Sequence, residues 1–94
     1  MHGDVGIEFD PDKDRKNRAK HGVGLALAAL IFEHENLVAE FPDARMEYGE
    51  DRLTAYGRVA GRAVVCVYTW RGQVRRIISL RKANGREQSL YFAK

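Results

Sequence analysis

The chain holds one cysteine, one tryptophan and no apolar run that approaches a membrane span in length. A lone cysteine excludes an intrachain disulfide and any cysteine-rich zinc site. Cys66 stands in the apolar stretch AVVCVY, where a small thiol reads as core rather than as a nucleophile. A spanning helix needs about 20 apolar residues. The opening MHGDVGIEFD lacks the basic-then-apolar order of a signal peptide. A cytoplasmic location without membrane contact is therefore the expectation. His2, His21 and His34 are scattered, and DPDKD at residues 10–14 lacks the glycine and distal glutamate of a calcium loop. No metal site and no cofactor are expected. Repeats, linkers and low-complexity tracts are also missing, so 94 residues at 45% hydrophobic content read as a single domain spanning 1–94.

What is present is an uneven distribution of charge. Between residues 33 and 51, seven acids stand against Arg45, a net of −6, whereas residues 71–94 carry seven bases against Glu87, a net of +6. A basic C-terminal third is the footprint of a polyanion ligand, and an acidic protein partner is the competing explanation. Mutual neutralisation of the two blocks across the fold is the simpler alternative. The densest stretch is VRRIISLRKA, Val74 to Ala83, where Arg75, Arg76, Arg81 and Lys82 ride on a β-branched run that suits a half-buried strand.

The elements follow from local signals. Val5 to Phe9 alternates as a short strand. Asp10-Pro11 then begins a helix, since Asp caps helix N-termini and Pro suits the first helical position, and Gly22 closes it. That helix is almost wholly polar, which predicts a surface position with few contacts to the sheet. A second helix is expected from Leu25 to Glu33, with Leu25, Ala28, Ile31 and Phe32 facing the core while Leu27 and Leu30 point elsewhere. Leu37 to Phe41 reads as a strand, and the acidic segment that follows Pro42 as a loop. Arg52 to Val59, Ala63 to Trp70 and Gln73 to Arg81 form successive strands joined by short glycine-containing turns. A short terminal helix follows Asn84-Gly85. The expected fold is α+β: an antiparallel meander with two N-terminal helices and a short C-terminal helix.

Period-two alternation then constrains the functional face. In the last strand Arg75, Ile77, Ser79 and Arg81 fall on one side, with Val74, Arg76, Ile78 and Leu80 toward the core. Arg76 on the apolar side requires an exit to solvent, a carboxylate partner or a bulge that changes the parity. The first meander strand places Arg52, Thr54, Tyr56 and Arg58 on one polar face. If these faces coincide, Arg52, Arg58, Ser79 and Arg81 converge on a surface that binds phosphates. Cleaving a phosphodiester further needs a base, cations on the developing charge and a proton donor. Glu50 or His21 supplies a base, and Arg52, Arg81 and Lys82 supply cations. In RNA the 2′-hydroxyl would be the nucleophile, so no metal is necessary. Each residue also has a structural reading: His21 as a partner of the last helix carbonyls, Glu50 as an ion pair with Arg52, and Trp70 as a hairpin-end core residue rather than a platform for a base.

Taken in order, these residues resemble the BrnT family of type II toxins. The likeness runs from about Ile7 to Tyr91: Phe9-Asp10, Lys13, Asn17, Lys20-His21-Gly22-Val23, Ala28 and Phe32; then Gly49-Glu50, Arg52, Ala55 and Gly57-Arg58; then Arg76-Ile77-Ile78-Ser79, Arg81-Lys82-Ala83, Arg86-Glu87 and Tyr91. The resemblance implies a RelE-like fold and a metal-independent RNA endonuclease that inhibits translation. It also implies a BrnA-like antitoxin that masks the basic surface, and a toxin homodimer within a toxin–antitoxin heterotetramer. Carried over by position, Glu50, Arg52, Arg81, Lys82 and His21 are the catalytic candidates, and Arg58, Arg75, Arg76 and Ser79 the RNA-binding ones. Three departures stand out: Phe9 where Trp is frequent, Ala26 and Leu27 where acids are frequent, and Trp70 where a polar residue is usual. Two other classes compete with the enzyme. One is a non-enzymatic module that binds nucleic acid or protein with the same basic face, and the other is a structural subunit that docks through Leu25 to Phe32.

Overall fold

The computed structural model describes residues 6–43 and 50–93. Val5 and most of the expected acidic loop lie outside these residues. The described chain forms a five-stranded sheet, ordered β1-β5-β4-β3-β2, from β1 (Ile7–Glu8), β2 (Leu37–Pro42), β3 (Leu53–Val59), β4 (Arg62–Arg71) and β5 (Val74–Lys82). Helix α1 (Pro11–His21) and a segment at Leu25–Phe32 follow β1, and α2 (Gly85–Glu87) continues as a π-helical turn through Phe92. The α+β class and the β3-β4-β5 meander stand as expected. Two details of the expected fold are corrected. The sheet is mixed, because β1 pairs with β5 in parallel through Ile7 with Arg75 and Glu8 with Arg76. The second N-terminal helix is a 3₁₀ segment rather than an α-helix.

The reason lies in the spacing of its apolar residues. Leu25, Ala28 and Ile31 recur every three positions and are fully buried, which three residues per turn align in one column over the sheet. Leu27 is left exposed, while Leu30 and Phe32 pack at the margin of the core. Gly57 of β3 makes room for this segment: a Cβ there would lie 2.6 Å from Ile31 Cγ2. The column meets Ala55, Val64, Cys66, Tyr68, Ile77 and Leu80 in the main core.

Helix α1 begins as expected at the Asp10 cap, whose side chain accepts from the Asp12 N–H, and ends at Gly22 in the left-handed conformation. It touches the rest through two buried polar residues, Asp14 and Asn17. Asp14 Oδ1 accepts from the Leu25 N–H at 2.7 Å and so caps the 3₁₀ segment. Asn17 donates to Leu80 O at 2.7 Å and to Val23 O at 2.9 Å, and accepts from Leu80 N at 3.2 Å. β1 covers β5 only at Arg75 and Arg76, so beyond them Asn17 replaces a neighbouring strand at the outer edge.

Strand β5 contains a bulge. Val67 pairs with Ser79 and the next residue, Tyr68, with Ile77, so Ile78 is an extra residue in the ladder. The bulge changes the parity: Ile77 and Leu80, three apart, are both buried in the main core. Arg75 therefore shares the helix-covered face with Ile77, whereas Ser79 and Arg81 lie on the opposite face. This corrects the single alternation that grouped all four.

Two local features carry testable effects. Between β3 and β4, Ala60 and Gly61 both have positive φ, 52° and 79°, as a type I′ hairpin turn requires. Ala is disfavoured in this left-handed region whereas Asn tolerates it through local hydrogen bonding, so Ala60→Asn is expected to raise stability by about 0.5–1 kcal/mol in chemical denaturation. In β4, burial pushes the Cys66 thiol up to about 12. It stays protonated, and alkylating reagents should label it only after unfolding, as mass spectrometry would show.

Candidate active site

The face opposite α1 is covered by the C-terminal segment, where Phe92 and Ala83 are buried with Val65, and Tyr91 and Tyr56 pack beside them. Its placement starts from Asn84, whose side chain accepts from the Glu87 N–H at 2.8 Å while Glu87 Oε1 accepts from the Asn84 N–H at 2.9 Å. This capping box fixes the Glu87 carboxylate at the start of α2. The same carboxylate receives Arg81 Nη1 and Nη2 at 2.8 and 2.7 Å, a bidentate pair between β5 and α2. Arg81 Nη1 also donates to Lys82 O, which leaves two of the five guanidinium N–H donors for a ligand.

Cross-strand register brings further groups to this point. Arg81 is opposite Val65, and Val65 is opposite Tyr56. The Tyr56 ring lies 4.2 Å from that of Tyr91, centroid to centroid, and Phe41 closes the aromatic group at 5.5 Å from Tyr91. Burial, followed by Tyr91 and Glu87, raises the Tyr56 pKa against the opposing pull of Arg81. Its phenol therefore holds its proton at neutral pH. His21, at the end of α1, is pushed below its ordinary value by burial, then by Lys20 and Arg81. The imidazole is neutral at physiological pH and available as a proton acceptor. Arg81, followed by the backbone at Asn84, outweighs partial burial and holds the Glu87 carboxyl below the usual carboxylate range. One cation, one carboxylate and two phenols thus meet on one patch of sheet, with His21 within electrostatic reach of Arg81 from the end of α1.

The other candidates separate into distinct places. Arg58 donates to Phe92 O at 3.2 Å and stands over the Phe92 ring, next to the patch. Ser79 shares the face of Arg81, and Lys82 is exposed at the strand end. Glu50 and Arg52 pair with each other at 3.1 Å, before the start of β3. Arg52 is four residues from Tyr56, about 13 Å of strand, so this pair is not brought to Arg81. Arg76, expected toward the core, instead alternates with the inward Arg75 and Ile77 and faces the opposite side, where it pairs with Glu8 at 2.8 Å. Arg75 lies on the helix-covered face with its guanidinium carbon 3.9 Å from the Phe32 ring centre. Among the described residues, no three His, Cys, Asp or Glu side chains gather as a metal site.

Composition and alternation did not single out Glu87, Tyr56 or Tyr91. A signal for Glu87 existed: it is the only acid between residues 71 and 94, and it stands three places after Asn84 in capping-box spacing. Tyr91 depends on how the C-terminal turn docks.

The family model described as a ribonuclease toxin, BrnT, of type II toxin–antitoxin systems matches residues 9–87. The chain belongs to this family. The BrnT match takes in α1, the whole sheet from β2 to β5, and Glu87, so Arg81 and its carboxylate partner both fall inside it. Membership in a BrnT family makes the protein the toxin of a type II pair and implies an antitoxin protein as its partner. No curated protein matches the chain. Among the described residues no helix is long and apolar enough to cross a membrane.

Proposed function

We propose that this BrnT-family toxin is a metal-independent RNA endonuclease with a RelE-like fold. On this reading it acts in the cytoplasm to inhibit translation, and a BrnA-like antitoxin neutralises it within a heterotetramer built on a toxin dimer. The observation that carries the reading is the gathering of Arg81, Glu87, Tyr56 and Tyr91 on one face of the sheet, with His21 at the end of α1 near enough for the Arg81 charge to act on it. RNA contains its own nucleophile. A proton acceptor takes the 2′-hydroxyl proton, O2′ bonds to phosphorus, the P–O5′ bond breaks, and O5′ receives a proton. His21 and Glu87 are the acceptors at hand, and Tyr56 and Tyr91 are the donors. Arg81 faces the charge that grows on the phosphoryl oxygens through its two remaining N–H donors. The products are a 2′,3′-cyclic phosphate and a 5′-hydroxyl.

Incubating purified protein with RNA, with and without EDTA, tests this. Cleavage that survives the chelator and leaves cyclic or 3′-phosphate ends is expected. Loss of cleavage in EDTA would overturn metal independence. RNA that is bound with strong salt dependence but left intact would establish the non-enzymatic binding module instead.

A further inference from the structure

At the far end of β4 the structure builds a second, separate feature. Trp70 is the only tryptophan of the chain and is 42% exposed. An exposed indole ordinarily has rotational freedom, but here it is stacked. The Arg75 guanidinium carbon lies 4.5 Å from the Trp70 ring centre and 3.9 Å from that of Phe32, a wedge between two aromatic rings. Tyr68, buried and bonded through its hydroxyl to Glu40, meets the indole edge-on at 5.8 Å. The platform is thus held from behind while part of its surface stays open.

That surface borders a cleft of about 320 Å³ lined by Glu50, Asp51, Leu53, Thr69, Trp70 and Arg71. The volume falls at the lower end of the roughly 300–1,000 Å³ typical of small-ligand sites. Thr69 Oγ1 donates to Asp51 O at 2.6 Å and fixes the wall opposite the indole. Arg52 holds the Glu50 carboxylate at 3.1 Å and Arg71 also lines the cleft, so its charge is mixed and Asp51 is the carboxylate left to accept from a ligand. A nucleobase edge that offers only hydrogen-bond donors is accepted. Among the four bases, guanine alone presents two adjacent N–H donors, N1–H and N2–H, that one carboxylate receives together. Adenine and cytosine set a donor beside an acceptor, and uracil sets its single donor between two acceptors.

We propose that Trp70, with the carboxylate of Asp51, forms a subsite that stacks and reads an unpaired guanine of the RNA. The nature of the ligand rests on the ribonuclease reading above, whereas the shape and charge of the cleft do not. In the register of the strands, Trp70 is five residues from Val65, the partner of Arg81, about 17 Å along β4. That odd spacing puts Trp70 on the helix-covered face and Arg81 on the other, so the base read here does not lie beside the scissile phosphate.

The single tryptophan makes the test direct. Titrating the full chain with GMP, AMP, CMP and UMP while following Trp70 fluorescence should give saturable quenching by GMP in about the millimolar range, with about tenfold preference over AMP. The Asp51→Asn variant keeps the indole and the Glu50–Arg52 pair. It should bind AMP and GMP alike, with circular dichroism and Tm unchanged. Absence of saturable quenching, or an equal response of the native chain to all four nucleotides, overturns the subsite. Its fate is separable from that of the activity. RNA cleavage without a Trp70 response leaves the ribonuclease reading standing and removes the subsite. GMP preference in a protein that never cuts RNA does the reverse.

Discussion

Arg81→Ala is expected to lower RNA cleavage by about 100-fold or more, the usual consequence of removing one donor aimed at developing charge. The argument rests on position. The Arg81 guanidinium is held by the Glu87 carboxylate through both terminal nitrogens, on the face that carries Tyr56 and Tyr91, and its charge reaches His21. Expressed without an antitoxin, the native toxin should arrest growth, and Arg81→Ala with Lys82→Ala should relieve the arrest. Glu87→Gln separates two functions of one side chain. Glutamine also serves in a capping box, so α2 stays in place, while the charge that orients Arg81 is gone. Cleavage should fall although the circular dichroism spectrum does not change. The pH dependence has a definite sign. Because Arg81 depresses the Glu87 pKa, the ionic link is complete at neutral pH and is lost only as pH falls through that depressed value. Growth arrest by Arg81→Ala at the native level would refute the assignment.

The largest effect on stability is expected at Asn17. Its amide serves Leu80 O, Leu80 N and Val23 O, and it is buried. Asn17→Ala leaves two carbonyls and one N–H without these partners, at about 1 kcal/mol or more for each. A loss of about 3 kcal/mol follows, equivalent to a fall in Tm of roughly 10–20 °C for a domain of this size. Asn17→Asp is no rescue, since a carboxylate cannot donate to the two carbonyls it faces. Urea denaturation of both variants checks the result. A shift below 1 kcal/mol would mean that water replaces the amide at the β5 edge.

Elements whose signals are local were legible in the sequence. Asp10-Pro11 and Gly22 bracket α1, and the three meander strands lie within a residue or two of their expected ends. What failed to show depends on contacts between distant residues. Nothing near Ile7 announces that it lies parallel to Arg75, and the bulge at Ile78 becomes visible only when β4 is laid beside β5. Leu25, Ala28 and Ile31 fit either an α-helix or a 3₁₀ turn, and packing over Gly57 decides between them. The candidate site divides in the same way. Arg81 was visible as a cation on a strand, but its partner Glu87 lies beyond the end of β5 and was hidden among the bases around it. Glu50 and Arg52, close in sequence, satisfy each other at the other end of β3.

The extra residue in β5 also bears on how this toxin tolerates genetic change. What the strand needs at position 78 is a count rather than a side chain, for Ile77 faces the core and Arg81 the opposite side only while one residue stands out of step. In a library screened for toxicity, many substitutions of Ile78 should be recovered among active clones. In-frame loss of that single codon should not, because it would turn either Arg75 and Ile77 or Leu80 and Arg81 onto the wrong surface. A lesion of one codon, altering no charged residue, would then disarm the protein as thoroughly as removing Arg81.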